Sequence, residues 1–537
     1  MEEFILTVTN GAETEEVSAS SRLSILDGLR GEDAPAPEAP CGGAGTCHKC
    51  TIIVTGKVRY LDTGDIKEVT EQSLLACRYA AAGHLSILIP QVGQMNVVTS
   101  GAEDLVMETD NAETGTSKEA SYGVSVDIGT TTVAAFLYDL TSGKLLASTG
   151  ERNAQRAFGA DVISRITCCS EGKLPQLTDS IQRQIIRLTQ ELCQKAQTTP
   201  AEVRRLVIAG NTVMEHLFTG LSPVSIGQAP FTPESFFGDY YSATTLLPNS
   251  GMDCDIYLCP CLSGYVGGDI TAGLMATDSQ KEEGLRLFVD IGTNGEMALG
   301  NKEGYTTCAT AAGPAFEGAE ISCGMGGEPG AIDKIRVTPE GLDVHVIGAL
   351  PAKGICGSGL VDAIACMLKV GVLTESGRLL NPEDMDQEPG VSDEFYQDLQ
   401  SRIFKQENGH NAFRLLGDVY ISAEDVREVQ LAKAAIRAGA ETLLEVQGKT
   451  AADITDLVIA GGFGSFLNKE SALAIGLLPE VPLALIRHVG NAAGAGASLA
   501  LQASGLRALE ETTSLCSYLE LSTSSEFMDN YIEYMSF

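Results

Sequence analysis

Three stretches of this 537-residue chain occur twice, in the same order. YGVSVDIGTTTVAAFLYD (122–139) returns as RLFVDIGTNGEMALGN (286–301), VRRLVIAGNTVMEHL (203–217) as ITDLVIAGGFGSFLN (454–468), and SGYVGGDITAGLMA (263–276) as HVGNAAGAGASLAL (488–501). A duplicated unit explains this more simply than three coincidences, and it constrains the fold to two related halves. Each half opens with an apolar strand ending at an aspartate, then Ile-Gly-Thr, then a second strand. A carboxylate at a strand end can hold Mg²⁺ through water. The turn at Gly129 or Gly292 presents backbone N–H groups, and Thr130, Thr131, Thr293 and Asn294 add donors, so each hairpin can cradle phosphates. Asp127 and Asp290 are the Mg²⁺ candidates, with capping of the turn as the alternative. In LVIAGGFG (457–464) a strand runs into Gly461, Gly462 and Gly464, which leave room for a nucleoside beside the backbone. Two such halves facing each other can clamp a nucleotide from both sides. Ordinary buried strands with tight turns are the competing explanation. The Gly/Ala-rich third pair suits helices packing closely where the halves meet.

A second constraint sits near the N-terminus, in CGGAGTCHKC (41–50). The spacing is Cys41-x5-Cys47-x2-Cys50, then 26 residues to Cys77. Four thiolates are what a [2Fe–2S] cluster needs, two for each iron. Gly42, Gly43 and Gly45 give the loop the left-handed freedom to turn N–H groups toward sulfur. Zinc and purely structural thiols remain alternatives, although a zinc ribbon normally pairs two C-x2-C knuckles and only one is present. Around the loop, FILTV alternates, Asn10-Gly11 signals a hairpin, and TIIVTGKV and LSILIP read as strands. SRLSILDGLRGE reads as a helix capped by Ser21, with Ile25, Leu26 and Leu29 on one face.

Between the two regions, VTSGAEDLVMETDNAETGTSKEA has six acidic residues and one lysine, too few apolar groups to bury, and reads as a tether. The expected organisation is a module over 1–90, an acidic linker over 91–120, a middle region over 121–203 opening the first half, and the remainder over 204–537. Net charge is −35, which disfavours nucleic acid and anionic membrane as partners. The sequence has no 18-residue apolar run, so no membrane span is expected. MEEFILTV lacks the basic start of a signal peptide. Fifteen cysteines without such a signal point to a reducing, cytoplasmic setting and to metal or redox use for some of them.

The first module resembles β-grasp ferredoxins; its x5 gap departs from the plant type and is closer to the adrenodoxin type. The duplicated region resembles the actin-like (ASKHA, RNase H-like) ATPases, with Asp127–Thr132 matching the first phosphate loop, Asp290–Gly295 the second and Ala460–Gly464 the adenosine motif. The expected fold class is therefore multidomain, α/β and α+β: a ferredoxin, a linker and a duplicated actin-like domain. That order, together with NAQRAFGADVISRI (153–166), AGNTVMEHLF (209–218), AAGPAFEGAEISCGM (311–325), KGICGSGLVDAI (353–364) and YLELSTSSEF (518–527), resembles the ATP-dependent reductive activators of corrinoid proteins. The resemblance implies a protein that takes an electron from a low-potential donor and returns a Co(II) corrinoid protein of a methyltransferase system to Co(I), with ATP driving the step. Homodimerisation is implied by the resemblance alone. An activator of another low-potential metalloenzyme, such as a 2-hydroxyacyl-CoA dehydratase, a metabolite kinase with a redox-sensing module and a non-enzymatic nucleotide switch are the rival functions.

Several candidates remain weighed against plainer roles. Asp269, in a glycine-rich turn before a helix, can orient the hydrolytic water or merely cap that helix; Glu317 is its rival for the catalytic role. Cys254, Cys259 and Cys261 are read as core filler rather than a second metal site, as are Cys168, Cys169 and Cys356. The polar stretch 382–417 is read as a solvated excursion, with partner docking as the alternative. In AAGPAFEGAEISCGMGGEPGAI (311–332), Ser322 and Met325 are candidates for reaching the cobalt, against a buried structural loop.

Overall fold

The computed structural model describes residues 3–10, 13–31, 34–37, 39, 43, 45, 50–89 and 121–537. The expected acidic tether and the thiols Cys41 and Cys47 lie outside these residues. In the first module, β1 (Glu3–Asn10) and β2 (Glu13–Ser20) form the expected hairpin, β3 (Thr51–Tyr60) and β4 (Ile66–Leu75) a second, and β5 (Tyr79–Ile89) runs parallel to β1. The strand order is β2-β1-β5-β3-β4, with the helix Ile25–Gly31 burying Ile25, Leu26 and Leu29 against the sheet: a β-grasp. Two details correct the sequence reading. The helix is capped by Ser24, whose hydroxyl accepts from the Asp27 N–H at 3.0 Å; Ser21 instead sits in a turn closed by Leu23 N–H donating to Ser20 O. Strand β4 gave no alternating signal because only Val69 and Leu74 along it are buried.

The duplicated region forms two sheets. The first contains β6 (Tyr122–Ile128), β7 (Thr132–Asp139), β8 (Lys144–Arg152), β9 (Val203–Gly210), β10 (Tyr240–Ser242) and β11 (Asp255–Leu258), in the order β10-β11-β9-β6-β7-β8. The second half opens with β12 (Leu285–Ile291), β13 (Gly295–Asn301) and β14 (Gly304–Thr310). It then departs into two small sheets, β15 (Ala331–Thr338), β16 (Gly341–Val346) and β17 (Gly354–Ile355), then β18 (Ile403–Lys405), β19 (Asn411–Leu416) and β20 (Val419–Ser422). Strands β21 (Ile454–Ala460), β22 (Ile486–His488) and β23 (Cys516–Tyr518) complete its main sheet, β22-β21-β12-β13-β14-β23. The repeat is exact in register: Asp127 lies opposite Ala209 across the parallel β6–β9 pair, and Asp290 opposite Ala460 across β12–β21. The phosphate hairpins β6–β7 and β12–β13 therefore occupy equivalent positions.

The third repeated pair forms two helices, Gly268–Ala276 and Ala492–Leu499, that pack on each other between the sheets. A β-carbon on Gly496 would fall 2.1 Å from Ala272 O, so glycine is required for the backbones to approach this closely. Each helix touches both sheets: Ala272 and Met275 pack with Phe136 and Val207 of the first sheet, and Ala492 packs with Phe288 of the second. Ile270 and Leu274, from the first half, pack with Phe288, Ala298 and Val458 of the second sheet. Ala493, Ala495 and Ala497, from the second half, pack with Phe136, Val207 and Ala209 of the first, where Ser498 and Ser125 hydroxyls bond at 2.7 Å.

The stretch 382–417 is not a solvated excursion. It supplies the helix Asp393–Arg402 and strand β19, and buries Phe395, Leu399, Phe413 and Leu415 in the core of the second half. Cys259, Cys261, Cys168 and Cys169 are buried among apolar side chains and Cys254 is half-buried, which fits filler, whereas Cys356 lies buried in the cleft wall with its thiol donating to Ile332 O. Among the described residues no helix is long and apolar enough to cross a membrane.

Candidate functional site

Between the two sheets lies a cleft of about 1690 Å³. The strand-end aspartates Asp127 and Asp290 line it from opposite sides, with the turns that follow them: Gly129, Thr130 and Thr131 in one half, Gly292, Thr293 and Asn294 in the other. Asp269, Glu317, Gly461 and Gly462 complete the wall, and Ser322 and Met325 reach its edge. Ser322 is exposed and Met325 half-buried, while Ala312, Ala315, Phe316 and Ile321 of the same segment lie in the core of the second half. Gly464 stands behind the wall instead, packed on Ile459, where it shapes the turn rather than facing the cleft. Gly461 has φ +89°, and a β-carbon there would fall 2.4 Å from Asp290 Oδ1, so the second aspartate and the nucleoside turn fit together only around glycine.

The carboxyls share a space that favours their protonated forms. Asp290 is pushed up to about 8 by burial and then by the charges of Asp269 and Asp127. Asp127 is raised to about 7 by burial and Asp269, against a hydrogen bond from the Asn491 side chain. Asp269 is raised to about 6 by burial, opposed by backbone N–H groups. Glu296, on β13, is raised further by burial and by Asp269 and Asp290. Four acids converging on one cleft call for a cation. Among the described residues no three His, Cys, Asp or Glu side chains close into a direct metal cage. The donor set therefore fits Mg²⁺ held largely through water and phosphate oxygens, as that ion prefers.

Asp269 lies inside the first turn of the helix Gly268–Ala276, whose cap position is Gly267; it does not cap that helix, and its carboxylate accepts from the next residue's N–H at 2.9 Å. Glu317 ends the short turn Pro314–Glu317. Its Oε2 accepts from the Thr131 hydroxyl at 2.7 Å and its Oε1 from the Thr293 hydroxyl at 2.9 Å, so one carboxylate joins both phosphate hairpins.

Sequence reasoning missed the groups that hold the first hairpin from behind. Asn153 Nδ2 donates to Gly129 O at 2.8 Å. Arg165, fully buried, donates to Thr130 O at 2.5 Å and also to Gly159 O, Gln155 Oε1 and Met214 Sδ. All four acceptors are neutral, and burial lowers this guanidinium to about 9. Asn211 donates to Thr130 Oγ1 at 3.0 Å while capping the helix Thr212–Thr219. Asn211 and Asn491 were legible as helix caps, each standing just before a small-residue or apolar helical run. The reach of Arg165 to the hairpin was not legible, since it spans 35 residues.

In the first module, Cys50 and Cys77 bring their sulfur atoms within 3.3 Å. At that separation the sulfurs are too far apart for a disulfide and close enough to serve one metal group. Gly43 and Gly45 have φ +102° and +78°, the left-handed backbone expected of a loop folded around a cluster. This module sits at the mouth of the cleft. Ala36, Pro37 and Ile89 line its rim, and the Arg30 guanidinium stacks 5.1 Å from the ring centre of Phe158 in the first half.

Residues 284–537 match the family described as the C-terminal domain of RACo, the ASKHA domain, and residues 122–282 the RACo middle region. The chain is 34% identical over 501 residues to the corrinoid activation enzyme RamQ of Eubacterium limosum, spanning 90% of this chain and 81% of RamQ. It is 24% identical over 464 residues to a Co(II) methylated amine-specific corrinoid protein reductase of Methanosarcina barkeri, spanning 78% of this chain and 77% of that protein. A solved structure of a reductive activator for corrinoid, iron-sulfur protein aligns with a TM-score of 0.68 at 30% identity, over 99% of this chain and 98% of that one. With both regions matched and most of RamQ covered at this identity, the chain belongs to the RACo family of reductive activators of corrinoid proteins, built on an ASKHA ATPase domain.

Proposed function

We propose that this protein is an ATP-dependent reductive activator that returns an inactive Co(II) corrinoid protein to Co(I) in support of corrinoid-dependent methyl transfer. The observation that carries the reading is the union, in one chain, of a thiol-bearing β-grasp module and a two-sided acidic cleft at whose rim that module sits. The names of RamQ, of the Methanosarcina reductase and of the structural relative support the same substrate class.

Cys41, Cys47, Cys50 and Cys77 would hold a [2Fe–2S] cluster, which would supply a one-electron carrier between a low-potential donor and Co(II). Asp127 and Asp290 would hold Mg²⁺ through water, which would offset the charge of the ATP phosphates, while Gly129, Thr130, Thr131, Gly292, Thr293 and Asn294 would donate to phosphate oxygens. Asp269 would orient the attacking water, which splits ATP into ADP and phosphate. Gly461 and Gly462 give the adenosine room. Ser322 and Met325, at the exposed edge, are the groups that approach the corrinoid. The protein works as a homodimer in the cytoplasm, within the four-part organisation expected from its sequence.

The decisive experiment mixes anaerobically purified protein with a Co(II) corrinoid protein of a methyltransferase system, a low-potential reductant and ATP, and follows the Co(I) absorption. Co(I) should form only with ATP present. Cys77→Ala should lose both the visible absorption of the cluster and Co(I) formation. Protein that carries zinc and no iron sinks the electron-transfer reading. Unchanged cobalt EPR in the Ser322→Ala complex removes that loop from the mechanism, and a monomer by sedimentation removes the dimer.

A further inference from the structure

The segment after the second phosphate hairpin is tied to the first half at two points. At one end, Glu317 accepts from Thr131 of the first hairpin and from Thr293 of the second. At the other, Glu328, which is 7% exposed, pairs with Arg152 at the end of β8 at 3.3 Å. Between these points lie Ser322 and Met325. The intervening backbone is stiffly coupled to Glu317: Gly318 has φ +78°, and a β-carbon on it would fall 2.7 Å from both N and O of Met325. Ser322 N–H in turn donates to Asp425 Oδ1 at 2.7 Å, at the start of the long helix Ala423–Val446. On its other flank, the Phe316 ring stacks on Phe463 of the nucleoside turn, 5.1 Å between centres and 8° from parallel.

Two hydroxyls from facing phosphate hairpins, both donating to one anionic group, make the arrangement a terminal phosphate would receive. Carboxylate and phosphate oxygens accept the same charge-assisted bonds, and two anions do not share one pair of donors. We propose that Glu317 is a stand-in for the terminal phosphate of ATP: a positioning residue that clasps the cleft when no such phosphate is present, and whose displacement releases the segment 318–328 toward the corrinoid. The proposal rests on the nucleotide site assigned above. ADP lacks the competing phosphate, so it leaves the clasp closed. The charge state of the nucleotide is thereby transmitted to Ser322 and Met325 through one carboxylate and a backbone contact. A ligand shifts such an equilibrium only through the state that it binds better, and here the discriminating group is the third phosphate.

The test uses the full-length holoprotein with Mg²⁺ and either adenylyl imidodiphosphate or ADP, read by titration calorimetry and by hydrogen exchange of the peptide 318–328. In the wild type the ATP analogue should speed exchange of this peptide and ADP should not. Glu317→Ala should bind the analogue about tenfold more tightly, the equivalent of one strong competing interaction. ADP affinity should shift by less than about twofold, and exchange of 318–328 should be fast with either nucleotide. Retained ADP binding certifies that the variant is folded; should Glu317→Ala lose it, the isosteric Glu317→Gln carries the same two readings. An unchanged preference for analogue over ADP in the variant, weaker analogue binding, or a wild-type peptide indifferent to the nucleotide overturns the clasp alone. Wild-type protein that binds neither nucleotide overturns the nucleotide site and the clasp with it.

Discussion

In the first half the phosphate hairpin is braced from behind by side chains that reach it from other elements: Asn153 to Gly129 O, Arg165 to Thr130 O and Asn211 to Thr130 Oγ1. The hairpin of the second half folds on itself, with Gly292 N–H donating to Asn294 O at 2.9 Å. An acid, Glu296, lies directly across the strand pair from Asp290. The same motif is thus carried by a positively charged, hydrogen-bonded buttress on one side and by a repelling acidic wall on the other. Asp127 has the Asn491 amide to share its charge; for Asp290 the neighbouring acids only raise its proton affinity. Duplication conserved the strand register while the supports diverged. The first hairpin is held from behind by three side chains, whereas the second is held at Thr293 by Glu317 and has an acid, Glu296, opposite Asp290.

The largest effect expected from this asymmetry is on turnover. Asp290→Ala should reduce ATPase activity by more than about 100-fold, as loss of a group stabilising developing charge does, and leave the cluster absorption unchanged. It should not destabilise the ligand-free protein near pH 8, because it removes a repelled carboxyl. Asp127→Ala should lower stability as well, because it abandons Asn491. A rise in stability for Asp127→Ala, or a fall for Asp290→Ala, breaks the comparison. Next in size, Arg165→Met keeps the stem but strips Thr130 O, Gly159 O and Gln155 Oε1 of this donor and should cost about 3 kcal/mol in urea unfolding. ATP binding should weaken with it, since the first hairpin loses its brace.

A pH titration sharpens the acidic side. Asp269, Asp127 and Asp290 titrate at about 6, 7 and 8 when folded, against 3.8 as the ordinary value. The folded state therefore holds protons that the unfolded chain has released. Without Mg²⁺, stability should fall as pH rises from the ordinary carboxylate range to about 8 and then level off. Mg²⁺ with nucleotide should flatten this profile; a flat profile without them removes the acidic wall from the argument. The smallest effect is expected from Asn211→Ala, about 1 kcal/mol, the usual worth of a helix cap. A loss as large as that of Arg165→Met would show that the asparagine, not the arginine, carries the hairpin.

What the sequence disclosed follows the range of each interaction. The paired hairpins were readable because DIGT sets strand end, turn and donor within a few residues, and the pair of glycine-rich helices because close packing imposes composition. The strands of the first module were readable from alternation and its hairpin, except for β4, which buries too little to alternate; their β-grasp arrangement came from resemblance alone. The stretch 382–417 misled because its apolar groups Phe395, Leu399 and Phe413 are scattered among polar ones and find their core only through tertiary packing. In the site, Asp127, Asp290 and the threonines were foreseen from local chemistry. Arg165 was not, because its acceptor Thr130 is remote in sequence. The bridging of two hairpins by Glu317 was invisible for the same reason, Thr131 being 186 residues away.

The helices packed between the two sheets also govern the order in which this chain can fold. Strands β6, β7 and β9 are synthesised long before residues 492–499, yet that late helix covers the face carrying Phe136, Val207 and Ala209, and Ser125 waits 373 residues for Ser498. The early sheet therefore leaves the ribosome with an apolar face uncovered. Contacts of such separation fold slowly, and exposed surface of this kind is what chaperones and aggregation compete for. Neither half can finish without the other, so the ATPase region is expected to fold as one cooperative unit, despite the repeated hairpins of its two halves.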